Sequence, residues 1–138
     1  MKQILKLSLV GFLLLIMFSS CQKETQEEQC VTSTCQALSG EWNLMQYSAG
    51  LGGLENYNKD DVTWTFNSNG TVDVLINTTL SNSNMPIQTN QTDTYVVTGT
   101  TVQLSTIDHN YDITFDNGNL ILSRDPQVDG PRITFERD

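Results

Sequence analysis

From Gly40 to the end of the chain, apolar and polar residues alternate with a period of two, the spacing of strands with one buried face. Val62, Trp64 and Phe66 alternate with Thr63 and Thr65, and no window sustains the i, i+3, i+4 pattern of a helix beyond about one turn. Trp42 and Leu44 mark a first strand, Val62 to Phe66 a second, and Val72, Val74 and Ile76 a third. Tyr95 and Val97, Val102 and Leu104, Tyr111 with Ile113 and Phe115, Leu120 and Leu122, then Ile133 and Phe135 supply five more. Asn69-Gly70, Gly99, Asn117-Gly118 and Asp129-Gly130 provide the positive-φ residues that hairpins need. The prediction is an all-β domain of eight strands.

The connections alternate in length. Links at Asn67 to Gly70, around Gly99 and at Asp116 to Asn119 are tight; those at Ala49 to Asp60, Leu80 to Thr89 and Asp125 to Gly130 are longer, and Thr106 to Asn110 is intermediate. In an up-and-down meander, odd and even connections fall at opposite ends, so one end is sealed by short turns and the other carries the long loops. Greek-key crossings would not sort loops this way, which favours an antiparallel barrel over a sandwich.

Upstream of the domain, a basic segment with Lys2 and Lys6 precedes a short apolar run from Leu7 to Phe18. That length suits a secretory leader and falls short of the roughly 20 residues needed to span a bilayer. Ser19 and Ser20 before Cys21, followed by the polar stretch Gln22 to Gln29, resemble a bacterial lipoprotein lipobox. The resemblance implies a signal peptide over 1–20, cleavage before Cys21, acylation of that residue and attachment to the membrane by a lipid anchor. Residues 21–35 then read as a lipidated, largely disordered tether and 36–138 as the barrel domain. Cys21-Gln22-Lys23-Glu24 also resembles the export signal of lipoproteins displayed on the outer face of a Gram-negative outer membrane, with Thr25 standing where a second acidic residue would be expected.

Cys30 and Cys35 remain. In an exported chain they read as a disulfide closing a small ring, worth at most about 2 kcal/mol by loop entropy, with free thiols or an intermolecular bridge as the rival. Their position before the first strand suggests a staple on the tether, outside the barrel.

Loss of the leader removes two of seven basic residues and none of sixteen acidic ones, so a formal charge of −9 becomes −11. No Lys or Arg cluster offsets this, and nucleic acid is not an expected partner. Candidate chemistry is sparse. His109, the single histidine, sits in the turn-like Asp108-His109-Asn110 without a nucleophile motif, and Asp108, Asn110 and Asp112 lack the glycine and distal glutamate of a calcium loop. The expectation is no enzyme, no catalytic residue, no metal and no cofactor.

Leu38-Ser39-Gly40-Glu41-Trp42-Asn43-Leu44, the hairpin Trp64 to Val72 and the ending Ile133-Thr134-Phe135-Glu136-Arg137 resemble the small bacterial lipocalin-like lipoproteins. The resemblance covers residues 36–138. It implies an eight-stranded barrel opened by a G-x-W strand, often after a short helical turn, and a role in binding small apolar molecules or proteins. The domain is shorter than full-sized lipocalins and lacks a long helix after its last strand, so a roomy interior is not implied. Trp64, Phe66, Tyr95, Tyr111 and Phe115 accordingly read as core.

Leu51, Leu54, Tyr57, Met85 and Ile87 lie in the long connections, with His109 in the neighbouring turn. They are the ligand-binding candidates, marking a mouth for a small apolar or amphipathic ligand or a patch for a protein partner; the alternative is a lid that completes the core. At the other end, Arg137 shares parity with Ile133 and Phe135 and should turn inward. Barrel closure would set it across Trp42, beside Gly40, in a cation-π contact of about 0.5 to 2 kcal/mol.

Overall fold

The computed structural model describes residues 30–81 and 84–138; the leader, Cys21 and the stretch 22–29 lie outside the described residues. A six-residue helix, α1 (Ser33–Leu38), precedes nine strands: β1 (Gly40–Ser48), β2 (Leu54–Asn56), β3 (Val62–Phe66), β4 (Thr71–Ile76), β5 (Gln91–Thr98), β6 (Thr101–Leu104), β7 (Asn110–Asp116), β8 (Asn119–Ser123) and β9 (Arg132–Arg137). Every pairing is antiparallel. From β3 to β9 each strand pairs with the next, and β1 pairs with both β3 and β9, closing an eight-stranded barrel. The ninth strand, β2, is an addition to the eight expected: it lies in the first long link and pairs with Gln46 to Ser48, beyond the point where β3 leaves β1.

The hairpins follow from their turn residues. Asn117 and Gly118 both have positive φ, 51° and 89°, the pair of left-handed residues that a two-residue hairpin requires. In the β3–β4 turn Gly70 takes φ 81°, while the Asn69 carboxamide accepts from the Thr71 backbone N–H at 3.1 Å. Inward residues fill the barrel. A chain of aromatic contacts crosses it, Phe135 on Trp64 at 5.2 Å, Trp64 on Phe66 at 6.1 Å and Phe66 edge-on to Tyr95 at 5.2 Å. Val62, Val72, Leu104, Leu120, Leu122 and Ile133 are buried around it.

One expected core residue is not there. Phe115 has inward parity but remains 42% exposed, because it lies next to the tight Asp116–Asn119 turn, where the barrel ends and nothing covers it. Its ring instead leans on Trp42, with centroids 6.1 Å apart.

Helix α1 plugs the tight-turn end. Thr32 caps it by accepting from the Cys35 backbone N–H at 3.2 Å, and Leu38 and Cys35 pass into the core. The Trp42 indole N–H donates to the Leu38 carbonyl at 2.7 Å, tying the helix to β1. Arg137 stands 4.7 Å from the Trp42 ring centroid, and its guanidinium donates to the carbonyls of Ala37 and Ser39 at 3.0 and 2.7 Å. Gly40 takes φ 123° directly beneath it, a backbone conformation that a side chain would strain. The aliphatic stem and planar cation thus cover the indole while the fork satisfies carbonyls at the end of the helix.

Cys30 and Cys35 are joined in a disulfide. The ring is not a staple outside the domain: Cys35 is buried beside the Tyr95 hydroxyl and Cys30 packs against the core, so the packed unit starts at Cys30 and not at residue 36. The reason is α1, whose turn carries Cys35 and Leu38 onto the same buried face.

Two consequences are measurable by urea unfolding. Replacing both cysteines by serine should cost about 3 to 5 kcal/mol, the loop-entropy share of about 2 plus that of a hydroxyl buried at position 35. A loss confined to the entropic share would mean that the ring does not support the core. Arg137→Ala should cost about 1 to 2 kcal/mol and Arg137→Lys less, because the ammonium keeps the charge but not the planar fork; equal losses would assign the effect to the planar fork alone, and no loss in Arg137→Lys would assign it to charge.

Candidate functional site

The links 49–61, 77–90, 105–109 and 124–131 gather at the end of the barrel opposite α1. There the inward residues change character. Tyr47 of β1 and Tyr111 of β7 are buried with their hydroxyls toward the rim, and Arg124, the next inward position after Leu120 and Leu122, stands among them. With Ile107, His109 and Pro86 they line a depression of about 340 Å³.

A bulge places Tyr47. The β1–β9 register slips between Leu44 and Gln46, so Trp42 and Leu44 point inward on one side of Met45 and Tyr47 on the other. Its hydroxyl donates to the Asn84 carbonyl at 2.7 Å, holding the 77–90 link across the barrel end. Burial pushes the Tyr47 and Tyr111 hydroxyls above the ordinary phenol range, with Arg124 pulling each back, so both are neutral donors at physiological pH.

Arg124 is only partly satisfied. Its backbone N–H donates to the Pro131 carbonyl at 2.9 Å, extending the β8–β9 ladder by one residue. Its side-chain Nε is buried without a hydrogen-bond partner, and the nearest acid, Asp125, lies 3.7 Å away on the exposed rim. Tyr111 has no hydroxyl partner among the described residues.

Beneath the 105–109 link lies Asp93, an inward, buried carboxylate on β5. It accepts from the Ser105 hydroxyl, from the Thr106 hydroxyl and backbone N–H, and from the Thr94 backbone N–H. Burial alone would raise its pKa, but these donors together hold it below the ordinary carboxylate range. Asp93 therefore positions the segment that carries Ile107 and His109.

The six residues expected to form a binding mouth are not brought together. Met85 and Ile87 are buried in the core, so they serve as the lid: the 77–90 link folds back and lays its two apolar side chains over the inward face. Tyr57 packs partly against the core and donates to Glu55 at 2.7 Å, which together with burial raises its pKa. His109 does line the mouth. Leu51 stays 96% exposed, and Leu54, 57% exposed, belongs to a different concavity, a groove of about 580 Å³ on the outer face floored by Ile121. Asp112 also faces outward there, and no group of three His, Cys, Asp or Glu side chains able to hold a metal ion occurs among the described residues.

Arg124 and Tyr47 were missed by the sequence reading. The signal for Arg124 was present, since the parity that turns Arg137 inward after Ile133 and Phe135 does the same for Arg124 after Leu120 and Leu122. Tyr47 had no such signal, because strict alternation from Trp42 and Leu44 selects Gln46.

Asp93 makes the loop end acid-sensitive. Its folded pKa lies below the unfolded value of about 3.9, so its stabilisation is present above that value and is lost as pH falls through the folded pKa. Asp93→Asn should cost about 1 to 3 kcal/mol at pH 7 and flatten the stability profile below about pH 4. Urea unfolding across that range decides it; an unchanged acid limb would assign the sensitivity to other carboxylates.

No protein-family model matches the sequence, and no curated protein matches it either. Among solved structures, the crystal structure of a lipocalin-like protein from Bacteroides uniformis ATCC 8492 is similar, with a TM-score of 0.52 and 16% sequence identity over 74% of this chain and 99% of that one. At that identity the likeness speaks for the fold alone, and the fold is that of a lipocalin-like barrel.

Proposed function

We propose that this chain is a lipid-anchored binding module of a Gram-negative outer membrane, displayed at the cell surface, which takes a small ligand at the open end of its barrel and acts by binding, without catalysis. The observation that carries the reading is the contrast between the two ends. One is plugged by α1 and sealed by Trp42 and Arg137, whereas the other opens into a concave wall with an inward cation and unpaired donors. The chain enters at the plugged end. Residues 22–29 would span at most about 30 Å from an acylated Cys21, so the plugged end faces the membrane and the mouth faces away from it.

A second reading rests on a different feature. Leu51, Leu54 and Val128 are 96%, 57% and 77% exposed, and the close approach of Gly50 to the Asp129 backbone brings their two links together. A Cβ at Gly50 would lie 2.0 Å from the Asp129 carbonyl oxygen, so the contact depends on glycine. Such a patch suits a protein partner, as in a protease inhibitor or a surface complex.

Native mass spectrometry of protein purified from its own membranes separates the two. A co-purifying small molecule that is lost in Ala49→Trp, which fills the mouth, is the expected result; a stoichiometric protein partner lost on Leu51→Asp and Val128→Asp would replace the first reading with the second. Anchoring has its own test. Cys21→Ser should release the protein from the membrane fraction, and retention after a high-salt wash would overturn the lipid anchor. Complete protection from a non-permeant protease on intact cells, with cleavage in lysate, would place the barrel on the periplasmic side.

A further inference from the structure

We infer that the ligand taken at the mouth is a small organic anion, a carboxylate on a compact apolar body, received by the Arg124 guanidinium; the inference rests on the open-end reading and narrows it to a chemical class.

The donors and acceptors at the mouth are unequal. Arg124 offers donors only, Tyr111 offers a hydroxyl with no partner among the described residues, and the Tyr47 hydroxyl is already spent on the Asn84 carbonyl. About a third of the Arg124 side chain is exposed, and its Nε, shielded from solvent, has no hydrogen-bond partner, so the cation is incompletely satisfied. A carboxylate matches this set, because its two oxygens accept from a guanidinium fork in parallel. A neutral amide or alcohol would satisfy one donor and leave the charge unanswered.

The other cations among the described residues are engaged or face elsewhere. Lys59 pairs with Asp138, Arg137 lies on Trp42, and Arg132 lines the outer groove with Asp112 and Asp129. In a chain this acidic, an arginine that lines a cavity with only one carboxylate within 4 Å of it among the described residues is conspicuous. Asp125, that carboxylate, is 68% exposed and reaches Nε at 3.7 Å, beyond hydrogen-bonding distance. It is a competitor that a ligand can displace. The walls set the rest of the ligand: Ile107, Pro86, Pro131 and Ala49 offer apolar surface, and about 340 Å³ admits a single ring or a short branched chain.

The test is an NMR titration of the full mature chain carrying Cys21→Ser, with benzoate and its neutral analogue benzamide as probes. Benzoate should shift the Ile107 methyl and Tyr111 ring signals and bind about tenfold more tightly than benzamide. Arg124→Met, which keeps the aliphatic stem, should erase that preference. Asp125→Asn should tighten benzoate about threefold by removing the competing charge, and asparagine accepts the left-handed backbone of position 125. This second variant keeps the inference falsifiable if Arg124→Met does not fold.

Equal binding of the two probes at the mouth would overturn the anion inference while leaving the open-end reading in place. Shifts confined to the outer groove around Arg132, or none at the mouth with either probe, would overturn both. Unchanged benzoate affinity in Asp125→Asn would count against Arg124 as the receiving group.

Discussion

The barrel depends on β1 being paired along both of its edges. It meets β9 along nearly its whole length, from Trp42 to Ser48, and on its other edge it meets β3 and then β2. An eight-stranded sheet without the β1–β9 pairing would expose two edges and could not enclose its aromatic interior. The same strand also fixes both ends. Trp42 near its start meets Leu38 and Arg137, and Tyr47 near its finish reaches Asn84. A single bulge at Met45 makes this possible, since without it Trp42 and Tyr47 would lie on opposite faces.

That bulge also marks where sequence reading stops. Period-two alternation identified Val62, Trp64, Phe66, Val72, Leu104, Leu120 and Phe135 as core because the barrel has one buried face and no register slip in those strands. Alternation carries no information about a bulge, so Tyr47 was invisible. It says nothing about where a barrel ends, which is why Phe115 keeps inward parity and an exposed ring. Met85 and Ile87 belong to a third case: loop residues have no period, and only the path of the chain decides that they turn inward. The strand β2 escaped for a related reason, since three residues are too few to show a pattern.

The candidate site was legible in outline and not in composition. Loop rhythm located the open end, and parity could have named Arg124, but apolar loop residues drew attention toward an apolar mouth. The structure reverses that emphasis. Of the apolar loop residues, Met85 and Ile87 are consumed by the core and Leu51 and Leu54 stay outside the mouth, whose wall mixes Arg124 and two tyrosines with Ile107 and two prolines. A short barrel must use its few large side chains for stability before any are left for recognition.

A filled interior changes what such a barrel can recognise. In a hollow barrel a ligand is surrounded and selected by volume; at a shallow mouth such as this one a ligand would meet the groups of one wall and stay partly in water. Small ligands gain roughly 0.3 to 1.5 kcal/mol per non-hydrogen atom, so a body of the size admitted by the mouth needs nearly every atom in a good contact to bind tightly. On the proposed reading, the pairing with one arginine would decide which ligands bind, and the apolar wall would add to their affinity. The two ends of the barrel thus divide the work: the sealed end, with Trp42, Arg137 and the Leu38 carbonyl, holds the fold, and the open end is left to vary in what it presents to solvent.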